Sequence, residues 1–342
     1  MNAFDLPWLV ADIGGTNARF GLVTSPGARP SHVAVLAGAD HATLPEAVAA
    51  YLTQHAGGVR PGAACLALAG PVEGDRYALT NSAWSGSASD LGLPYTMLLN
   101  DFEALAVSLP RLESADLASL GGPEPAHGVK AVLGPGTGLG VAGLVPTDGG
   151  WTPVSGEGGH VTVPVRDDRE REIVRVLRAG GLDHVVAEHV LSGPGLVVLH
   201  RALAEVNGVD APRLSSADIV ARLDDSLCAE TVEVFCGMLG SFAGNVALTL
   251  GARGGVYLGG GVLPRIVERV RTSDFRARFT DNPDMSGYLS AIATTLIVAT
   301  QPALTGAAAW LAQRAAGEWP PSDGRVNELS PLRERPLRRE LS

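Results

Sequence analysis

Short apolar runs that end at glycine, asparagine or aspartate recur along the chain, and longer segments with helical spacing of apolar residues lie between them. This alternation predicts an α/β protein. The apolar runs predict strands at 9–13, 18–23, 63–69, 97–99, 255–258 and 296–299, with two more in a hairpin at 131–145. Helices are predicted at 43–55, 102–109, 170–177, 196–206, 230–250 and 303–316, and from Pro264 onward.

Two of the predicted strand pairs share one plan. The first pair has a carboxylate, Asp12, at its strand end and a glycine-rich turn at 14–17, and the second hairpin repeats the order strand, Gly-Thr, strand. When Thr137 is placed on Thr16, Asp12 falls opposite Leu133, so only the first copy has an acidic residue there. Two such units, one lobe apart, indicate a duplicated fold.

Composition bounds the class of protein. A chain of 342 residues, 46% hydrophobic and 18% charged, is long enough for two lobes with buried cores. Its net charge of −10 argues against a nucleic-acid partner, because phosphate backbones select basic surfaces. The three cysteines form no CxxC pair, which argues against a disulfide framework or structural zinc. The first ten residues lack the basic start of a secretory signal, so we expect a cytoplasmic protein.

The uncharged stretch 234–252 is long enough to be considered as a membrane segment. It contains Ser241, Asn245, Thr249 and several glycines, so we expect a buried helix of a soluble protein with no membrane partner. The segment 318–342 is rich in proline and charge and shows little periodicity, which predicts disorder.

Three glycine-rich segments are candidate phosphate-binding loops, because glycines let successive backbone N–H groups point into one concavity. Their residues are Gly14, Gly15, Thr16 and Asn17; Gly134, Gly136, Thr137 and Gly138; and Gly259, Gly260 and Gly261. Asp12 is a candidate ligand of Mg²⁺, through water, because that ion keeps several waters. The first segment is not a Walker loop, since no lysine follows it. Ordinary hairpin turns, and close strand–helix packing in the third segment, are the alternatives.

Acidic residues supply the candidate chemistry. Asp101 follows a short strand, at the edge where open α/β sheets bind ligands, and can accept the proton of an attacking hydroxyl in phosphoryl transfer. The alternative is that Asp101 only caps a helix beginning at Phe102. Glu157, His160 and Glu188 together can exchange hydrogen bonds with several sugar hydroxyls. A surface loop with an exposed glutamate is the alternative for this second group.

Seven stretches, taken together, resemble the bacterial glucokinase family over about 9–316. They are ADIGGTNARFGLV, ALTNSAW, LLNDFEALA, GPGTGLGVA, GEGGHV, AEHVLSGPGLV and GGVYLGGGVLPR. The resemblance implies the duplicated ribonuclease-H-like fold of the actin-like ATPase superfamily, with a cleft between two lobes. It also implies a small lobe of 1–110 plus 302–317, a large lobe of 111–301, and a homodimer. The cysteine-rich zinc motif of the repressor-type sugar kinases is missing, which favours the other branch.

The resemblance also implies an activity and residue roles. The activity is transfer of a phosphoryl group from ATP, with Mg²⁺, to glucose. Asp101 matches the catalytic base, the three glycine-rich segments match phosphate-binding and nucleotide-side loops, and the glucose ligands match Asn100, Glu157, His160 and Glu188. Pro135 stands where a small residue is more usual and removes one amide donor. A kinase for another hexose or an N-acetylhexosamine, and a non-catalytic sensor on the same fold, are the alternatives.

Overall fold

A computed structural model describes residues 4–317, and the segment 318–342, predicted to be disordered, lies outside the described residues. The strands are β1 (Trp8–Ile13), β2 (Asn17–Val23), β3 (Ser31–Ala37), β4 (Ala63–Leu68), β5 (Val72–Glu73), β6 (Arg76–Ala78), β7 (Ser85–Ser87), β8 (Thr96–Asn100), β9 (Leu117–Gly121), β10 (Lys130–Pro135), β11 (Leu139–Thr147), β12 (Gly150–Gly156), β13 (Val256–Leu258) and β14 (Thr294–Ile297). The helices are α1 (Leu44–Gln54), α2 (Asp101–Ser108), α3 (Asp168–Ala179), α4 (Gly193–Asn207), α5 (Ser216–Ala221), α6 (Ser226–Leu250), α7 (Val267–Thr272), α8 (Phe275–Thr280), α9 (Ser286–Ser290) and α10 (Pro302–Ala315).

Two large sheets repeat one topology. The first sheet has the order β3-β2-β1-β4-β8 and the second the order β12-β11-β10-β13-β14-β9. In the first, β1 pairs antiparallel with β2 and parallel with β4, and in the second β10 pairs antiparallel with β11 and parallel with β13. The predicted duplication is therefore confirmed, and each Gly-Thr turn lies at the carboxyl end of a central parallel strand.

The core consists of three hydrophobic layers, which lie on either side of the two large sheets because successive side chains of a strand point to opposite faces. Along β1, Trp8 and Val10 face the layer that contains α2 and α10, while Leu9 and Ile13 face the layer that contains α1. The second sheet divides the α2–α10 layer from a third layer built on α3, α4 and α6. Helices α2 and α10 thus pack between the two sheets.

Helix α6 contains most of the uncharged stretch noted in the sequence. Among residues 4–317 it is the one helix that is long and apolar enough to cross a membrane, and 72% of its most apolar stretch is buried inside the fold. It ends at Gly251, whose φ of 63° is the left-handed conformation of a helix C-cap. The expected buried core helix is what the structure shows.

Among the predicted boundaries that differ from the structure, two have a clear physical reason. The late strand β14 begins at Thr294 rather than at Leu296, because two threonines belong to the strand; Thr294 is fully buried and its hydroxyl donates to Gly121 O at 3.0 Å. The helix predicted from Pro264 is a 3₁₀ turn at Leu263–Arg265, and regular helix begins only at α7. The spacing of apolar residues identifies neither a strand end made of polar residues nor a 3₁₀ segment of one turn.

Candidate functional site

The candidate base lies where β8 ends and α2 begins. The Asn100 side chain caps the helix, because its Oδ1 accepts a hydrogen bond from Phe102 N at 2.9 Å. Glu103 completes a capping box by accepting a hydrogen bond from Asn100 N at 2.9 Å. The cap is therefore Asn100, and the helix begins at Asp101 rather than at Phe102. Asp101 Oδ1 also accepts a hydrogen bond from Phe102 N, at 3.0 Å.

The surroundings of Asp101 favour its protonated form. Burial is the main reason that the pKa of Asp101 is raised to about 6, and the negative charge of Asp12 raises it as well. The hydrogen bond from Phe102 N opposes this shift without cancelling it. A carboxylate with such a pKa is ionised near neutral pH and still takes up a proton readily, which suits a general base.

Asp12 lies near the end of β1, opposite Arg19 on β2. Burial raises the pKa of Asp12, while the ion pair with Arg19, whose Nη1 lies 3.1 Å from Asp12 Oδ2, opposes the rise. Within residues 4–317, no cluster of three or more His, Cys, Asp or Glu side chains is arranged to hold a metal ion. Mg²⁺ needs only one or two carboxylates and keeps its waters, so Asp12 alone is a chemically suitable ligand.

The second glycine-rich loop joins β10 to β11 and lies against the start of α4. Gly136 N–H donates to Gly138 O, and Gly136 O accepts from Gly193 N, both at 2.8 Å. A Cβ on Gly136 would have no atom within 4 Å, so this face of the loop is open to a ligand. Pro135 lacks an amide proton, and its carbonyl accepts from Val262 N at 3.4 Å, which joins the second loop to the third.

In the third loop, two glycines serve packing and one faces open space. A Cβ on Gly260 would collide with Pro135 O, and a Cβ on Gly259 would lie 2.7 Å from Leu105 Cδ2, so these two glycines allow their neighbours to approach closely. A Cβ on Gly261 would meet nothing within 4 Å. Of the three predicted residues, Gly261 is therefore the one with space for a ligand beside it, while packing alone explains the other two.

Glu188 connects the second loop to the predicted sugar ligands. Its Oε2 accepts a hydrogen bond from Leu139 N at 2.8 Å. A Cβ on Gly138 would lie 2.5 Å from the same oxygen, so only glycine allows this approach. The sequence alternative of an exposed helix glutamate does not hold, because Glu188 is half-buried in a 3₁₀ turn.

The segment that ends at His160 lies beside the segment that carries Glu188. Ala187 N donates to Val161 O at 2.9 Å, which places the two chain segments side by side. His160 Nε2 lies 3.9 Å from Glu157 Oε2, and both side chains are exposed. The structure thus brings three of the four predicted sugar ligands, Glu157, His160 and Glu188, into one region and leaves Glu157 and His160 open to solvent.

The first residues of β11 join this region to the candidate base. A Cβ on Gly140 would collide with the ring of Phe102, which directly follows Asp101. A Cβ on Gly159, which lies between two predicted sugar ligands, would collide with Leu139 O. The base and the predicted sugar ligands at 157, 160 and 188, which are far apart in sequence, are therefore all supported by the first residues of one strand, β11.

Three residues at the site have no sequence-based assignment, although all lie within the quoted motifs. Arg19 pairs with the candidate metal ligand. Asn81 packs on the first loop, since a Cβ on Gly15 would lie 2.6 Å from Asn81 Cβ. Glu103 forms the capping box, and its spacing of three residues from Asn100 is the sequence signal that identifies it. Arg19 and Asn81 give no local signal, because their partners come from other strands and loops.

Comparison with known proteins decides the family. The family model for glucokinase matches residues 9–314. The chain belongs to the glucokinase family. A glucokinase from Aromatoleum aromaticum is 48% identical over 320 residues, which cover 91% of this chain and 96% of the relative. The crystal structure of a glucokinase from an Antarctic psychrotroph is 37% identical, with a TM-score of 0.82, and the match covers 89% of this chain and 98% of that one.

A ROK family glucokinase from Streptomyces griseus, solved with glucose and AMPPNP, shares the fold. It is 20% identical, with a TM-score of 0.61, and the match covers 90% of this chain and all of that one. The actin-like ATPase fold implied by the sequence resemblance is therefore confirmed. Within the glucokinase family, the chain is an enzyme with a kinase fold.

Proposed function

We propose that this chain transfers the γ-phosphoryl group of ATP to glucose and forms glucose 6-phosphate, which feeds glycolysis in the cytoplasm. The observation that carries the proposal is Asp101, a half-buried carboxylate whose pKa is raised to about 6. Its neighbour Phe102 contacts the strand that also binds Glu188, and the charge of Asp12 acts on it from the first glycine-rich hairpin. Membership of the glucokinase family supports the same activity.

The sugar is held by polar groups from three segments. Asn100, Glu157, His160 and Glu188 are the proposed ligands. Asn100 is oriented by its cap and by a 3.3 Å hydrogen bond from its Nδ2 to Gly70 O. Glu188 is oriented by its bond to Leu139 N. Because Asn100 and Glu188 are already fixed, a sugar that lacks the hydroxyl matching either of them would lose a hydrogen bond that the site is built to make, which is the basis for selectivity.

In the proposed step, Asp101 accepts the proton of the 6-hydroxyl as the hydroxyl oxygen bonds to the γ-phosphorus and ADP leaves. The open faces of Gly136 and Gly261 allow phosphate oxygens to approach backbone amides. Asp12 would hold Mg²⁺ through water, and the bound ion would supply positive charge against the phosphates. The ion pair with Arg19 favours the ionised form of Asp12 and so opposes the rise in its pKa that burial causes.

The direct test is Asp101→Asn. Removing the proton acceptor should lower turnover by roughly 10²–10⁴-fold, while glucose binding changes far less because the amide keeps the size of the side chain. Turnover is measured by coupled ADP release with and without glucose, and binding by calorimetry. Unchanged turnover would show that Asp101 is not the base, and an absence of glucose-dependent ADP release from the unmodified protein would favour the sensor.

A folding control accompanies this variant. The pKa of Asp101 is raised in the folded protein from 3.8 to about 6, so the folded state holds the proton more tightly than the unfolded state. The stability that this group contributes is present below the unfolded pKa and is lost as the pH rises through the folded pKa. The Asn variant should therefore be at least as stable as the parent at about pH 8, which thermal unfolding checks.

Sugar range and assembly complete the proposal. A panel of hexoses and N-acetylhexosamines, compared by kcat/KM, tests the alternative substrates that the sequence left open.

We also propose the two-lobe division at 1–110 plus 302–317 and 111–301, and a homodimer. Light scattering at several protein concentrations tests the homodimer, and a monomer throughout would reject it.

A further inference from the structure

Glu103 lies on the first turn of α2, two residues after the proposed base. Its Oε2 accepts a hydrogen bond from Asn100 N, and Asn100 Oδ1 accepts one from Phe102 N, each at 2.9 Å. The two bonds close a capping box that encloses Asp101. The residue that precedes the base and the residue that follows it are therefore both fixed by this box.

We propose that Glu103 is a positioning residue for the phosphoryl transfer, holding Asn100 and Asp101 in register with the bound sugar; this rests on the proposed function. Asp101 needs such support because burial and the charge of Asp12 both act against its ionised form. A carboxylate under that pressure turns towards solvent unless the backbone that carries it is held. The hydrogen bond from Phe102 N to Asp101 Oδ1, at 3.0 Å, requires the same fixed helix start.

The role is geometric rather than electrostatic. The charges that change the pKa of Asp101 include Asp12 but not Glu103. What Glu103 supplies is an acceptor at the right reach for Asn100 N, and a glutamine at the same position supplies an acceptor too. A variant that keeps the acceptor but loses the charge therefore separates the two explanations.

The test uses Glu103→Ala and Glu103→Met, which lack the acceptor, and Glu103→Gln, which keeps it. We expect roughly a 10–100-fold fall in kcat for the Ala and Met variants, the scale of a misplaced catalytic group, with near-complete recovery in the Gln variant. Because a freed Asp101 becomes more solvated, the acid limb of kcat/KM should also move to lower pH in the Ala and Met variants. The Met variant keeps side-chain volume, so packing loss does not explain a shared effect.

Helix α1 provides a matched control. There Glu46 Oε2 accepts from Ala42 N at 2.9 Å and Thr43 Oγ1 accepts from Glu46 N at 3.3 Å, a similar cap on an exposed helix start. Glu46→Ala should lose comparable thermal stability and leave kcat and the pH profile unchanged. If the loss of kcat in Glu103→Ala came only from lower stability, Glu46→Ala should show the same loss of kcat.

Three results would overturn the inference. They are an unchanged kcat and acid limb in Glu103→Ala and Glu103→Met, a Gln variant as impaired as the Ala variant, and an equal loss of kcat in Glu46→Ala. Failure of the proposed function looks different, because it appears as retained turnover in Asp101→Asn. An inactive Asp101→Asn with a fully active Glu103→Ala rejects the positioning role and keeps the proposed base.

Discussion

Two carboxylates at the site, Asp12 and Asp101, lie in surroundings that disfavour their ionised forms. Asp101 and Asp12 are carboxylates whose charges repel, and burial raises the pKa of both. Arg19 pairs with Asp12, and no ion pair to Asp101 occurs within residues 4–317. Groups with such perturbed pKa values concentrate at functional sites, and here one of the two, Asp101, is the group placed to take up a proton.

This pKa gives a pH dependence with a definite sign. Asp101 acts as a base only when ionised, so kcat/KM for glucose should fall on the acid side with a midpoint near the raised pKa of about 6. Initial rates at saturating ATP across the acid range measure the midpoint. The residual activity of Asp101→Asn should lack this limb. A midpoint near the ordinary carboxyl value of 3.8 would contradict the raised pKa of Asp101, and a limb that persists in Asp101→Asn would exclude Asp101 as the titrating group.

The sequence predicts which residues form the site better than it predicts the environment of each side chain. The carboxylate Asp101 and the polar side chains at 157, 160 and 188 were predicted, and in the structure their segments all contact strand β11. The raised pKa of Asp101 was not predictable, because it depends on burial and on a charge from a different strand. The helix cap was assigned one residue late, since Asn and Asp are equally good caps and stand side by side.

At the scale of elements, the Gly-Thr hairpins were predictable and the smallest strands were not. Both hairpins have apolar arms of five or more residues, enough to show a pattern. Strands β5, β6 and β7 have two or three residues each, too few for an alternation, and they owe their form to pairing with one another. Pairing partners, unlike local patterns, are not visible in one segment alone.

Strand β11 offers a paired test of how an element supports the site. Gly140→Ala should force the ring of Phe102 away and displace Asp101, lowering kcat by roughly 10–100-fold. Gly143→Ala, on the same strand, places its Cβ 3.5 Å from Leu250, an ordinary contact, and should keep near-normal kcat. Steady-state kinetics of both variants decide the matter. Equal kcat values in the two would show that the Phe102 contact does not position the base.

At the scale of the molecule, the last helix connects the parts. Helix α10 packs on α2 and also contacts β1 and β4 of the first sheet. Near its end, the Gln313 side chain accepts from Trp151 N at 3.0 Å and donates to Trp151 O at 2.9 Å, which ties it to β12 of the second sheet. The sequence predicts the helix but not these contacts, because they join segments more than a hundred residues apart.

Gly306 of α10 packs closely on Ala104 of α2, where a Cβ on the glycine would collide with the Ala104 carbonyl. Gly306→Ala should therefore push the helices apart and lower the free energy of unfolding by about 1–3 kcal/mol, the usual cost of overpacking. Because α2 also carries Asp101, kcat should fall too. Gly287→Ala in α9, where a Cβ meets nothing within 4 Å, is the matched helical control and should be neutral or slightly stabilising. Denaturant unfolding and kcat are measured on both. If Gly306→Ala lost stability but kept full kcat, the position of α2 would be fixed at its capped start rather than by the helix behind it.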